Sequence, residues 1–351
     1  YGIVESVAVT KPQKLKAAGS VLSANITDLL SPIGYGYDRN LGTVGPDRPT
    51  EYYETALHWM REACDANGMY LSLVMPNMFD EAELERRYGH LTRINADCGE
   101  GTWWRFSDAD RGVRYPTWSQ YVNAFDGYAY WSHIAGRDSI DLDGDFMRLN
   151  TFESDSERRS VVSLHLMAGG PVAVADQYCT IGDDVWLYQN EELLALNADG
   201  FTGQPLSNDP TSAASQVWTG RMSDGDWIVA LFNRETAPHT RSINLADLGF
   251  AGPARVRDLW QHADLGMMTY VSSVIPPHGC LVLEVSGEMC ACAEQSIVFE
   301  PIEDVEFDGA GVVPVATASS GLPVEFEVAL GPAFAEGGVI RLTGQSGAVH
   351  V

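Results

Sequence analysis

Between Thr50 and Asn197, short apolar runs alternate with stretches of helical spacing, and no other feature of the chain constrains its fold as much. Tyr53, Ala56, Leu57, Met60 and Ala63 recur at helical intervals and Asn67-Gly68 stops the pattern, which predicts a helix over 50–67. Met69 to Met75 then reads as a buried strand. The same alternation predicts a strand at His90–Asp97, a helix at Thr117–Phe125, and a strand at Ile140–Asp145. A helix over Ser154–Met167, capped by Ser154 or Asp155, a strand at Pro171–Asp176 and a helix at Asn190–Asn197 complete the series. Repeated strand-then-helix units imply a mostly parallel sheet, because parallel neighbours need long crossovers.

From Ala213 to Val285 the period changes to two. Ser215–Thr219 and Trp227–Phe232 read as strands, and Asp224-Gly225 as a turn, giving an antiparallel sandwich. After Glu294 the chain has no Trp, Tyr or Lys, and Ser319–Phe326 alternates like a strand. The expected organisation is an α/β domain over 1–206, a β-sandwich over 207–288 and a small β module over 293–351.

Composition removes several function classes. With 22 basic against 48 acidic side chains among 351 residues, the net charge of −26 opposes binding to a nucleic-acid backbone. An apolar fraction of 45% supports a sizeable core, and no run approaches the about 18 apolar residues that a membrane span needs. With Tyr1 first and no basic and apolar leader regions, a signal peptide is expected to have been removed or the sequence to be a fragment. Six cysteines are too sparse for a disulfide scaffold or a paired CxxC zinc site; Cys290 and Cys292 read as idle or structural thiols, with a bridge or a metal contact left open. No phosphate loop, dinucleotide fingerprint or HExxH motif occurs, so no cofactor and no metal are expected. The sequence leaves the oligomeric state open.

In parallel α/β barrels, catalytic side chains stand at the carboxyl ends of strands. Asp28, Asp97, Asp143, Asp145 and Asp176 each end or follow an apolar run. One such acid alone is usually a cap or a turn residue; their recurrence is the signal. Facing carboxylates, an arginine and aromatic rings suit glycosidic bond cleavage, where one carboxyl attacks and the other protonates the leaving oxygen. Rings supply flat faces for sugars, and Trp103-Trp104 in a glycine-rich loop are hard to bury together.

Several segments resemble glycoside hydrolase family 27, the α-galactosidase clan. Arg93-Ile94-Asn95-Ala96-Asp97 is similar to that family's Arg-x-x-x-Asp segment, and Asp143-Gly144-Asp145-Phe146-Met147 to its Asp-Pro-Asp-Met segment. The helix from Glu157, Asn190–Asn197, and the stretches around Trp218, Asp226–Arg234, Val256–Trp260 and Pro276–Cys280 match the family in order and spacing. The resemblance covers roughly residues 20 to 287. It implies a (β/α)8 barrel followed by a β-sandwich, and a retaining mechanism with Asp97 as acid/base and Arg93 holding the substrate. By the same resemblance the nucleophile is Asp28, at the end of a strand-like run but without the family's lysine, or alternatively Asp38. Trp103, Trp104, Asp143 and Asp145 are the further substrate-binding candidates.

The family's first three barrel strands have no counterpart before Tyr1, so a partial barrel and a truncated product are expected. The terminal module is similar to bacterial immunoglobulin-like repeats, which favours a secreted or cell-surface bacterial enzyme. The implied activity is hydrolysis of terminal α-galactoside-type linkages in an oligosaccharide or polysaccharide. An isomaltodextranase- or arabinopyranosidase-like activity on the same fold, or a non-catalytic carbohydrate-binding or adhesive fragment, is the alternative.

Overall fold

A computed structural model describes residues 2–3, 21–23 and 50–351, apart from 75, 77–81, 99–100, 114–120, 137–138, 291–295 and scattered positions between 303 and 350. For 2–3, 21–23, 50–53 and 178 the description is of the backbone alone. The chain divides into two compact units, Tyr1–Glu288 and Met289–Val351.

The first unit opens with a parallel sheet of five strands in sequential order: β1 (Gly2–Ile3), β2 (Val21–Ser23), β3 (Tyr70–Val74), β4 (Leu91–Arg93) and β5 (Asp141–Asp143). Helix α1 (Thr50–Asn67) ends where expected, because Gly68 adopts φ +62°, a conformation glycine enters without cost. Leu57 and Cys64 of α1 pack on Leu71 and Leu73 of β3 and on Leu84 of the short helix α2 (Glu83–Tyr88). The strand register aligns Val74 with Arg93 and Arg93 with Asp143, so an arginine and an acid sit side by side at the carboxyl ends of adjacent strands.

Of the helix expected at Thr117–Phe125, residues 117–120 lie outside the described residues, and the described helix is α3 (Ala124–Trp131). Tyr121 is occupied by a bridge to Asn95, and the Asn123 side chain accepts from the Asp126 N–H, so the first helical turn can begin only after Asn123. Helix α4 (Asp155–Met167) has Ser154 as its cap, in a reciprocal box with Glu157. Pro171–Asp176 forms no ladder; one parallel bridge joins Val174 to Met147. Helix α5 (Glu191–Asp199) is capped by Asn190 and closes on Gly200.

Strands β6 (Gln204–Pro205) to β13 (Cys280–Ser286) follow. Six of them form an antiparallel sheet in the order β11 (Ala263–Met268), β10 (Ala254–Asp258), β13, β8 (Trp227–Phe232), β7 (Val217–Arg221), β6. The pair β9 (His239–Asn244) and β12 (Tyr270–Ile275) stands apart from it. Inward positions Trp218, Leu231, Val256 and Val282 are fully buried. Asp224 accepts from the Asp226 N–H, and Gly225 at φ +102° completes the β7–β8 turn.

Arg234, just past β8, ties the sandwich to α3. Its guanidinium donates to the Asp126 carboxylate at 2.7 Å and to Ser107 Oγ at 2.9 Å, over the Phe125 ring at 4.3 Å. Both charges are completely or almost completely buried. Asp126 further accepts from the Gly112 N–H and the Asn123 amide.

The second unit contains two hairpins, Ile297–Phe299 with Ala316–Ala318 and Ala333–Glu336 with Val339–Leu342, and a bridge from Val312 to Ile340. Of the strand entered through a turn that is expected at Ser319–Phe326, the turn is present, whereas residues 321–326 pair with no strand among the described residues. Gly321, at φ +73°, turns the chain back with its N–H on the Ala318 carbonyl.

Candidate active site

Arg93 organises the carboxyl end of the sheet. It donates to Asp145 at 2.6 Å and to Asp97 at 3.2 Å. The two acids differ in surroundings: Asp145 is buried, whereas Asp97 is fully exposed. Burial opposes the Arg93 charge, but Asp145 and Asp143 outweigh it and leave the guanidinium pKa above its ordinary value. Burial pushes the Asp143 carboxyl above the usual range, and Arg93 pulls it partly back.

Asp145 adopts φ +80°, which a residue with a side chain holds only against strain. Its N–H donates to Asp143 Oδ1 at 2.8 Å, and its carboxylate accepts from the Cys98 N–H at 2.7 Å. The turn just after Asp97 is therefore pinned from the neighbouring strand end. Cys98 Sγ donates to the Gly144 carbonyl and accepts from Asn95 Nδ2, and desolvation raises its pKa steeply, so it is a packing thiol. Gly144 donates its N–H to the Tyr128 hydroxyl, and a Cβ there would stand 2.2 Å from the ring. Only glycine fits between the two acids.

The two tryptophans separate. Trp103 is buried and stacked on His278, centroids 4.7 Å apart at 13°, so the sandwich has taken its face. Trp104 is 57% exposed, with Arg105 over the ring at 5.1 Å. Asp176 is spent on structure, accepting from the N–H groups of Leu149 and Asn150 and from the Tyr188 hydroxyl. Asp28 and Asp38 lie outside the described residues. Among the described residues no group of three His, Cys, Asp or Glu side chains could hold a metal ion. Sequence reasoning brought Arg93, Asp97, Asp143 and Asp145 together but missed Cys98 and Asn95, whose apolar surroundings gave no catalytic signal.

A parallel sheet with an arginine and acids at its carboxyl edge, joined to an antiparallel sandwich, defines the class. Residues 212–285 match the alpha galactosidase C-terminal beta sandwich domain. The chain is related to the α-galactosidase-like enzymes of glycoside hydrolase family 27, hydrolases of O-glycosyl bonds with a TIM barrel and a C-terminal β-sandwich.

Among individual relatives, the isomalto-dextranase of Arthrobacter globiformis is 43% identical over 268 residues, 74% of this chain and 42% of that enzyme. Its structure in complex with panose superposes with a TM-score of 0.63 at 41% identity, covering 71% of this chain and 43% of that one. Alpha-galactosidase 3 of Arabidopsis thaliana is 26% identical over 66% of this chain and 51% of its own length. A β-L-arabinopyranosidase of Geobacillus stearothermophilus shares the fold at a TM-score of 0.56 and 21% identity, over 69% of this chain and 55% of its own. The chain thus spans about half or less of the lengths of these relatives.

Proposed function

We propose that the protein is a retaining α-glycosidase acting on dextran-type α-glucan, with Asp97 as its acid/base. The observation that carries the catalytic reading is the exposed Asp97 carboxylate at a parallel-strand end, beside an arginine anchored by the buried Asp145. The substrate follows from likeness to the isomalto-dextranase, which is higher than to the α-galactosidase. Asp28, or alternatively Asp38, is the nucleophile; double displacement requires a carboxyl separation of about 5–5.5 Å from the acid/base. Asp97 then protonates the leaving oxygen and afterwards deprotonates water. Arg93, held on one side by Asp145, offers its remaining donors to sugar hydroxyls, and Trp104 offers a stacking face. Asp143 and Asp145 fix the turn that carries Asp97 and bound the sugar site. We read residues 1–206 as part of the catalytic barrel, 207–288 as the sandwich, 293–351 as an immunoglobulin-like module, and the protein as secreted from a bacterium. Among the described residues no helix is long and apolar enough to cross a membrane.

Release of reducing sugar from dextran tests the proposal. Asp97→Asn should lower the rate by about 10²–10⁴, the usual share of an acid/base group. Turnover undiminished in that variant overturns the role of Asp97. The match to the α-galactosidase sandwich favours a second reading, hydrolysis of α-galactosides. Cleavage of p-nitrophenyl α-galactoside with dextran left intact would select it.

A further inference from the structure

Helix α4 carries a second, uncommitted arginine where it meets the sandwich. The Arg159 guanidinium carbon lies 5.2 Å from the ring centroid of Trp186 and 5.4 Å from that of Trp260. The two indoles meet edge to face at 84°, centroids 6.1 Å apart, so the arginine occupies the corner between them. Trp260 is itself fixed by donation from its Nε1 to Ser163 Oγ at 2.8 Å. Arg159 Nε is buried and has no hydrogen-bond acceptor among the described residues. Among the described residues Arg159 forms no ion pair. The neighbouring Arg158 is bound to Asp155 and Asp184, and Asp258 Oδ1 is engaged by the N–H groups of Trp260 and Gln261.

A cavity of about 200 Å³ adjoins this corner, lined by Ser156, Arg159 and Gln261 and by apolar groups including Ile275, Pro276 and Leu281. Arg159 is the one charged side chain among its described lining residues. In a chain with 48 acidic residues, a guanidinium without a carboxylate does not reflect a shortage of acids. Two ring faces hold a planar, donor-only fork in place before any ligand arrives, which lowers the ordering cost of binding. The complement of that fork is a planar, acceptor-only carboxylate. Ser156 and Gln261 add groups that both donate and accept, which suits the hydroxyls of a sugar carrying the carboxylate.

We propose that Arg159, in the corner of Trp186 and Trp260, is a binding site for the carboxylate of an acidic saccharide, separate from the Asp97 site. The assignment stands whichever glycosidic bond the protein cleaves.

Titration of the full chain with sodium glucuronate, glucose and sodium acetate at matched ionic strength, followed by calorimetry and tryptophan fluorescence, tests it. Glucuronate should bind with a Kd in roughly the millimolar range. Glucose should give no saturable signal there, and acetate should bind more weakly. Arg159→Gln should weaken glucuronate binding at least about tenfold, and Arg159→Lys, which keeps the charge but loses the fork, by several-fold. If Arg159→Gln fails to melt cooperatively, the lysine variant carries the comparison. Equal binding of glucose, or glucuronate binding unchanged in the folded variants, overturns the site. Acetate binding as tightly as glucuronate overturns the saccharide assignment.

Discussion

Arg93 serves two acids with one guanidinium, and the buried partner sets the energetics. Asp145→Asn removes the carboxylate from a largely buried arginine and should cost about 2–4 kcal/mol, read as a fall in the denaturant midpoint at constant slope. A midpoint unchanged within error would mean that Arg93 finds full solvation elsewhere. Arg93→Lys keeps a charge but not the planar fork, so the Michaelis constant for substrate should rise while the fold persists. An unchanged Michaelis constant would make Arg93 a purely structural partner of Asp145. This grouping was legible in sequence because Arg93 and Asp97 bracket a strand end and the Asp143-Gly144-Asp145 triplet ends the next. Hidden from sequence was the partner order: strand pairing, which no local pattern encodes, put buried Asp145 and not exposed Asp97 at the shorter distance. Trp103 was illegible for the same reason, since the ring that stacks on it, His278, comes from the sandwich.

Elements with local punctuation were readable, and elements that depend on distant partners were not. Asn67-Gly68 announced the end of α1, and Ser154 or Asp155 the start of α4; both ends fall there, with Ser154 as the cap. Apolar alternation misled after the turn at Gly321, where among the described residues no strand pairs with 321–326, and Pro171–Asp176 found a single bridge for its ladder. Glu157 doubles as cap and as partner of His278 at 2.8 Å, so Glu157→Ala should destabilise by about 1–2 kcal/mol, more than a cap alone. Thermal unfolding of that variant against Ser154→Ala separates the two contributions. At the other end of the α/β segment, α5 is joined to the sandwich by Glu192, which accepts from Arg257 at 2.8 Å and meets His262. Hydrogen bonding to Arg257 holds the Glu192 carboxyl below its usual range. A lowered folded-state pKa means stability present above the unfolded value, about 4.3, and lost as pH falls through the folded one. The pair is partly exposed and its worth modest. Urea midpoints of the wild type and Glu192→Gln should differ at pH 7 and draw together as the pH falls below the unfolded carboxylate range; a gap that did not change with pH would exclude this ionisation as its source.

At the scale of the molecule, residues 1–288 form one compact unit with the Arg234–Asp126 pair sealed between sandwich and α3, so they should unfold together. Arg234→Met strands a buried carboxylate and should cost about 3–5 kcal/mol, shifting a single calorimetric transition without splitting it. A split transition would show that barrel segment and sandwich melt independently. A chain ending at Glu288 should melt within a few degrees of the same temperature, since Met289–Val351 is a compact unit of its own. The same pair also sets a clock on biosynthesis. Asp126 and Arg234 are 108 residues apart. A ribosome adding about 5–20 residues per second delivers the guanidinium roughly 5–20 s after the carboxylate. Until then the Asp126 charge must stay hydrated, which keeps the Phe125 face of α3 open to water and to chaperones. Slow codons between residues 127 and 233 would lengthen that window, and with it the time in which nascent chains can stick to one another.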